Sequence, residues 1–338
     1  MTNDPTDEYN SDKLLLSVVI ETANTPPGQY AELDATIGAL ADQTLSSDRV
    51  ETFVVADTRL HPTLRAHLSS SAPQVRMIDA PELHYYAQKN HGARVSRAPI
   101  VAFIDSDCIP AKTWAATILE AFAREDPLLG AVQGTVWSDR TPLGFAFAIT
   151  NFGVFQARRE RRTSSLTGNN CAFRREEFLA DPFEDDPVFH GPEVRLAARI
   201  YDRGRYILLA PGAANHHHFL PDFKLFLAHG VYWGYCFLQL RRDGASCVPY
   251  AKLFNRLGPL SPLALIPAKA AFDLWRMIQR RADLEMNLFD TVGCTASLLV
   301  NSFAVGMGAF RSFLGLEAPA SKAYLPSLPG GSQGVDSA

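Results

Sequence analysis

The sequence predicts an α/β fold, a mainly parallel sheet flanked by helices, followed by a helical, apolar C-terminal extension. Three observations lead there. Four short runs rich in β-branched residues (14–20, 50–57, 75–79 and 100–105) are apolar along most of their length rather than alternating, as strands buried on both faces are. Helix-compatible stretches separate them, which implies right-handed crossovers and parallel strands. Beyond residue 221 the pattern turns helical and apolar, including stretches at 263–278 and 288–310.

Taken in order, the stretches at 29–41, about 60–69, 84–96 and 111–124 read as the crossover helices, the last opening behind Pro110 as a start signal. Glu21, Asp57, Asp79 and Asp105 fall at strand ends, and in open parallel sheets ligands sit outside the carboxyl ends of the strands. Residues 131–137 and 165–173 read as further strands on either side of the aromatic "PLGFAFAITNFGVFQ". A helix at 192–202 and a strand at 205–211 lead into "NHHHF". The polar residues 1–12 and the Pro-, Gly- and Ser-rich residues 317–338 read as disordered. The expected organisation is a main domain at 13–220 and a helical region at 221–316.

Composition narrows the function classes. A chain of 338 residues with 47% hydrophobic content is too apolar for general disorder, and a net charge of -4 gives no pull toward nucleic acid. The basic run "RRERR" at 158–162 reads as a solvated helix face, or as a phosphate or lipid-headgroup contact. Five scattered cysteines without C-x-x-C spacing argue against a disulfide framework and a zinc site, and fit a reducing cytoplasm. The acidic N-terminus lacks a basic leader, and "LLLSVVI" is too short for a signal sequence or a span.

"VAFIDSDCIP" closes a buried strand with Asp105 and Asp107. Carboxylates at i and i+2 leaving a strand can turn oxygens toward one point, as a hard divalent cation requires. The alternative is that they satisfy turn and cap amides ahead of the helix behind Pro110.

The ordered series "SVVIETANT", "VVAD", "YAQKNHGARVSRAPIVAFIDSDCIP", "GNNCAFRREEF" and "GPEVRLAARIYDRGRYILLAPGAANHHH" resembles the inverting nucleotide-sugar glycosyltransferases of family 2 over about residues 14–219. The resemblance implies the GT-A fold with its Rossmann-like sheet. It maps Thr22, Asn24 and Asp57 to the base and ribose of the donor, and Lys89, Asn90 and Gly92 to its diphosphate and ribose. Asp105 and Asp107 would hold Mg²⁺ or Mn²⁺ on that diphosphate, with Ser106 between them in the donor site. Gly168, Asn169 and Asn170 would lie under the sugar and acceptor. His217 is favoured over His216 as a third metal ligand, with diphosphate or solvent contact as the alternative for the triplet.

Two departures from the family pattern stand out. Glu21 replaces a usual proline, and Pro192-Glu193 stands where an E-D pair supplies the catalytic base. Glutamate is a carboxylate one methylene longer, so Glu193 is the expected base; favourable charge at a helix N-terminus is the other reading. The segment with Phe145, Phe147, Phe152 and Phe155 reads as core, or as an acceptor wall. Residues 291–310 are free of charge but only moderately apolar, which favours interfacial attachment over a span, with dimerisation through these helices as the alternative.

The expected protein is therefore a metal-dependent glycosyltransferase on the cytoplasmic face of the membrane, using a nucleotide-diphosphate sugar and a glycan or lipid-linked acceptor. The rivals are a catalytically silent binding protein of the same fold and a nucleotidyltransferase. The latter needs a basic, Gly-rich loop, and "ETANTPPGQY" has no basic residue.

Overall fold

The computed structural model describes residues 14–185, 191–218, 222–242, 253, 256–317 and 319. The expected disorder at 1–12, most of the tail from 317, and the boundary at 220/221 lie outside the described residues.

A nine-stranded sheet carries the molecule, in the order β3-β2-β1-β4-β8-β6-β9-β5, with β7 also pairing β9. Strands β1 (Leu16–Glu21), β2 (Val50–Ala56), β3 (Arg76–Asp79) and β4 (Ile100–Asp105) are mutually parallel. They are linked by α1 (Ala31–Ala41), α2 (Leu64–Ser71) and α3 (Tyr85–Val95), as the alternating pattern requires. The second half is mixed. β8 (Asn170–Arg174) runs antiparallel between β4 and β6 (Leu129–Ser138), while β9 (Tyr206–His217) is parallel to β6. Two short strands, β5 (Cys108–Pro110) and β7 (Arg161–Thr163), pair antiparallel with β9.

Alternation along β1 explains why the run is apolar throughout. Leu16, Val18 and Ile20 join a core with Leu33 of α1, Leu64 of α2 and Trp114 of α4 (Trp114–Phe122). Val19 points the other way, to Tyr86 of α3, Phe178 of α6 (Arg175–Ala180) and Leu196 of α7 (Pro192–Asp202). Helix α3 lies so close to the sheet that a Cβ on Gly92 would collide with the Val19 side chain. Gly92 is therefore explained by packing.

Four elements were not anticipated, one of them the short strand β5. The aromatic stretch forms α5 (Pro142–Phe152), opened by Thr141, whose Oγ1 accepts from the Gly144 amide at 3.0 Å, with Pro142 in the first turn. Helix α6 and strand β7 are the others. The "RRERR" run is solvated, as expected, but it is not a helix face. Arg161 and Arg162 lie in β7, Arg158 pairs with Asp283 at 3.1 Å, and Glu160 pairs with Arg124 at 2.6 Å. The strand expected from 165 begins only at Asn170, because Gly168-Asn169 form a turn.

The C-terminal helices α8 (Phe223–Arg242), α9 (Ser261–Arg280) and α10 (Leu288–Phe313) pack on one another and on α5. Helices α8 and α10 approach so closely that a Cβ on Gly234 or Gly308 would strike the facing helix backbone. Helix α10 is long and apolar enough to cross a membrane, with a mean hydropathy of 1.4 and half of that stretch buried in the protein. Its outer face leaves Leu288, Phe289, Val292, Phe303 and Met307 exposed at 61–80%.

Candidate active site

The carboxyl ends of β1, β2 and β4 converge as the parallel order requires. Glu21 and Asp105 are direct register partners on adjacent strands, and both are buried. Two carboxylates so close need compensation, which α3 supplies. Lys89, wholly buried, donates from Nζ to Asp105 Oδ1 at 2.7 Å, and the Tyr85 hydroxyl donates to the same carboxylate at 2.8 Å. Burial opposes the charge on Lys89, but Asp105 and Glu21 outweigh it and hold the ammonium protonated. Burial, reinforced by the charge of Asp105, pushes the Glu21 carboxyl well above the usual carboxylate range. Asn24 bridges the two acids: its Nδ2 donates to Glu21 Oε1 at 3.2 Å and reaches Asp105 Oδ2 at 3.4 Å.

Asp107 belongs to a different cluster. The pairing of β5 with β9 sets Cys108 opposite His217, and His217 Nε2 lies 3.7 Å from Asp107 Oδ2. Potential ligand atoms of Asp107, Cys108 and His217 all lie within 4.8 Å of one another, the one such grouping found among the described residues. Strand alternation separates the three histidines. His216 turns away to Asp139 at 2.9 Å, with its ring 5.6 Å from that of His218, while His217 points inward. Burial pushes the Asp107 carboxyl up to about 6, although His217 pulls the other way. His217 Nδ1 is buried with no hydrogen-bond partner. A carboxylate and an imidazole with unmet demand fit a divalent cation, and Asp107 and His217 would hold it.

Glu193 sits in the first turn of α7, behind Pro192 at the helix start, and is 9% exposed. Burial pushes its carboxyl up to about 7, while a short hydrogen bond from the Tyr86 hydroxyl pulls it down. Tyr85 and Tyr86 thus serve two different carboxylates from adjacent positions, their rings edge to face at 4.7 Å.

Asp105, Glu193 and His217 line one pocket of about 570 Å³, together with Asn24, Gly168 and Asn169 among others. Phe147 and Phe152 of α5, with Phe155 just beyond it, form part of its wall, so this aromatic stretch is both core and pocket surface.

Several of the expected site residues also make hydrogen bonds within the protein. Asp57 is clamped by Arg59, Nη2 to Oδ2 at 2.6 Å, and by the Glu82 amide at 2.9 Å, which holds it well below the usual carboxylate range. Thr22 is buried, its Oγ1 donating to the Val55 carbonyl at 3.1 Å. Ser106 bonds Thr25 at 2.7 Å, and Asn90 donates to the Phe183 carbonyl at 2.8 Å. Asn170 is wholly buried. It accepts from Trp114 Nε1 at 2.8 Å and donates to the Thr135 and Ala213 carbonyls at 2.9 Å, so it ties β8, β6 and β9 together.

Residues 17–178 match the model of glycosyl transferase family 2. They form a family 2 glycosyltransferase domain. Over 127 residues the chain is 34% identical to validoxylamine A glucosyltransferase of Streptomyces hygroscopicus subsp. jinggangensis (strain 5008), covering 36% of this chain and 29% of that one. The protein of the same name from subsp. limoneus is also 34% identical over 127 residues, covering 36% of this chain and 27% of that one. The match thus spans under a third of either relative. In three dimensions the chain is similar to a mannosyltransferase, PcManGT of Pyrobaculum calidifontis, solved with GDP-Man and Mn²⁺. The TM-score is 0.55 at 17% identity, covering 89% of this chain and 88% of that one, a likeness of GT-A fold.

Within the glycosyltransferase domain, sequence reasoning passed over Tyr85, Tyr86 and Gln88, whose Oε1 accepts from the Thr22 amide at 3.0 Å. They lie directly ahead of Lys89 and Asn90 in "YYAQKN", a stretch of α3 buried throughout, and that adjacency is the signal that marks them.

Proposed function

We propose that the protein transfers a sugar from a nucleotide-diphosphate donor to an acceptor hydroxyl, with inversion and with a divalent metal, Mg²⁺ or Mn²⁺. The observation that carries this reading is Glu193. It is a buried carboxyl opening into the same pocket as Asp105 and His217, and its proton affinity is set near neutrality.

A base poised near pH 7 is ionised in about half the molecules and still holds a proton once it has taken one. Tyr86 orients it by a hydrogen bond to Oε2, and the carboxyl faces the pocket from which the acceptor hydroxyl approaches. The acceptor oxygen attacks the anomeric carbon from the Glu193 side, and the bond to the diphosphate breaks on the far side, so the configuration inverts. Asn24 and Gly168–Asn169 line the space where the donor sits. A divalent cation at Asp107 and His217 would supply the charge that stabilises the departing diphosphate. Lys89 balances Asp105 and keeps it from repelling that diphosphate.

The exposed apolar face of α10, with Trp275 and Ile278 of α9, supports attachment to the cytoplasmic surface of a membrane. That placement suits a lipid-linked acceptor. The test of the reaction is incubation with a panel of nucleotide sugars and Mg²⁺ or Mn²⁺, following release of nucleoside diphosphate and the anomeric configuration of the product by NMR. Product of inverted configuration, dependent on metal, is expected. Retention, or no turnover and no binding with any donor, would overturn the proposal.

A further inference from the structure

The pocket extends well past the carboxylates, and its far wall differs chemically from the donor end. One face of α9 lines it with Leu265, Ala268, Lys269, Phe272 and Arg276, at the spacing of successive helical turns. Opposite stand Trp233 and Phe237 of α8, stacked at 4.6 Å, and the phenylalanines of α5. Into this apolar chamber the protein places two cations.

Lys269 is 5% exposed, lies 5.2 Å over the Trp233 ring and is paired with the buried Asp273. Thr150 also donates to that carboxylate, at 3.3 Å. The Arg276 guanidinium rests 3.9 Å above the Phe272 ring and makes no salt bridge among the described residues, although the charge of Asp273 reaches it. Asp273 offsets one of the two positive charges on this wall, while Glu193 and Asp105 lie at the donor end of the same pocket. A partly buried guanidinium that makes no ion pair among the described residues, set in an apolar wall, has donors to offer an anion. Phe272, 45% exposed, lines the chamber and also stacks on the exposed Trp275, so the chamber's mouth is continuous with the apolar outer surface of α9.

Resting on the transferase reading of the pocket, we infer that Lys269 and Arg276 form an anion subsite for the acceptor. The acceptor is then an amphiphile whose hydroxyl reaches Glu193, whose apolar body lies along the aromatic wall, and whose phosphate-class anion is held by α9. The guanidinium fork suits two phosphate oxygens, and the aromatic wall suits an alkyl or isoprenoid chain. This goes beyond a lipid-linked acceptor in general, because it requires a negative group within the pocket rather than at the membrane surface.

The experiment measures binding of decyl phosphate and of decanol to the full-length protein by calorimetry, below their micelle concentrations, with inorganic phosphate as the free-anion arm. Wild type is expected to bind decyl phosphate about tenfold or more tighter than decanol. Arg276→Gln should remove that preference while decanol binding stays, and Arg276→Lys should restore part of it, which a merely structural role for Arg276 would not do. Equal affinity of wild type for the phosphate and the alcohol, or an undiminished preference in Arg276→Gln, would overturn the subsite. Inorganic phosphate binding as tightly as decyl phosphate would overturn the amphiphile and assign the site to a soluble anion. Nucleotide-sugar binding by wild type, measured on the same preparation, separates the two readings. If the donor binds but the phosphate preference is missing, only the subsite fails; if no donor binds, the transferase reading fails and the subsite with it.

Discussion

Replacing Tyr86 by phenylalanine removes the hydroxyl that donates a hydrogen bond to Glu193. That bond favours the ionised carboxylate, whereas burial favours the protonated form and sets the balance at about 7. A hydrogen bond to a charged group contributes about 1.5–3 kcal/mol, which is about one to two pH units. The sign follows directly. Losing a bond that stabilises the anion raises the proton affinity further, so the base becomes available only at higher pH. At pH 7 wild type is about half ionised and the variant about a tenth to a hundredth ionised, a loss of about fivefold to fiftyfold in rate. The assay is kcat/KM for transfer, from about pH 5.5 to about pH 9.5. The acidic limb is expected to move upward in Tyr86→Phe, with the alkaline plateau retained within a few-fold. Glu193→Gln, by contrast, should lose about a hundredfold to ten-thousandfold at every pH. A limb that stays in place, or a deficit in Tyr86→Phe that does not recover at high pH, would refute the assignment of Glu193 as base.

Asp107→Ala should abolish the metal-dependent part of nucleotide-sugar binding while the protein stays folded; calorimetry with and without a chelator checks this, and a chelator effect surviving in the variant counts against the metal site. Asn170→Ala leaves Trp114 Nε1 and two carbonyls unsatisfied in the core and should destabilise by about 2–4 kcal/mol, read from denaturant unfolding, with donor affinity of the folded protein preserved. Because burial holds Glu193 protonated, ionising it costs stability as pH rises; Glu193→Gln should gain on wild type between about pH 5 and pH 8, by up to about 1–3 kcal/mol. A variant with Phe289, Phe303 and Met307 all changed to glutamate should lose co-sedimentation with anionic lipid vesicles at an unchanged melting temperature. If wild type ignores vesicles and instead forms a dimer that this variant breaks, the face is an interface between copies.

The parallel half of the fold was legible because its strands are continuous apolar runs ended by acids, and burial on both sides leaves no other reading of Val18 and Val19. Helix α5 was hidden because an aromatic run has no polar face to reveal its period; only Thr141-Pro142 marked its start. In the candidate site, motif order with topology is enough to bring Asp105 to the carboxyl edge of the parallel strands, whereas the meeting of Glu193 and His217 in one pocket is seen only in three dimensions. What could not be read was how Asp105 and Asp107 are divided. Asp105 goes to Lys89 and Tyr85, and Asp107 to His217, because that division depends on the register of β5 with β9. The roles of Asn170, Gly92 and Ser106 were equally hidden, since a motif does not distinguish a residue that touches a ligand from one that shapes the backbone around it.

The register of β6 with β9 slips between Gly134, opposite Ala210, and Val136, opposite Asn215, so three extra residues bulge from β9 just before the histidines. An odd insertion reverses which side of the sheet each later residue faces, and a strand's inward set is otherwise fixed. A bulge one residue longer or shorter would turn His217 out of the pocket. With histidine at 216, 217 and 218, a shift of one position in either direction still brings an imidazole beside Asp107. The bulge thus decides which of the three histidines turns inward: His217 meets Asp107, while His216 faces Asp139.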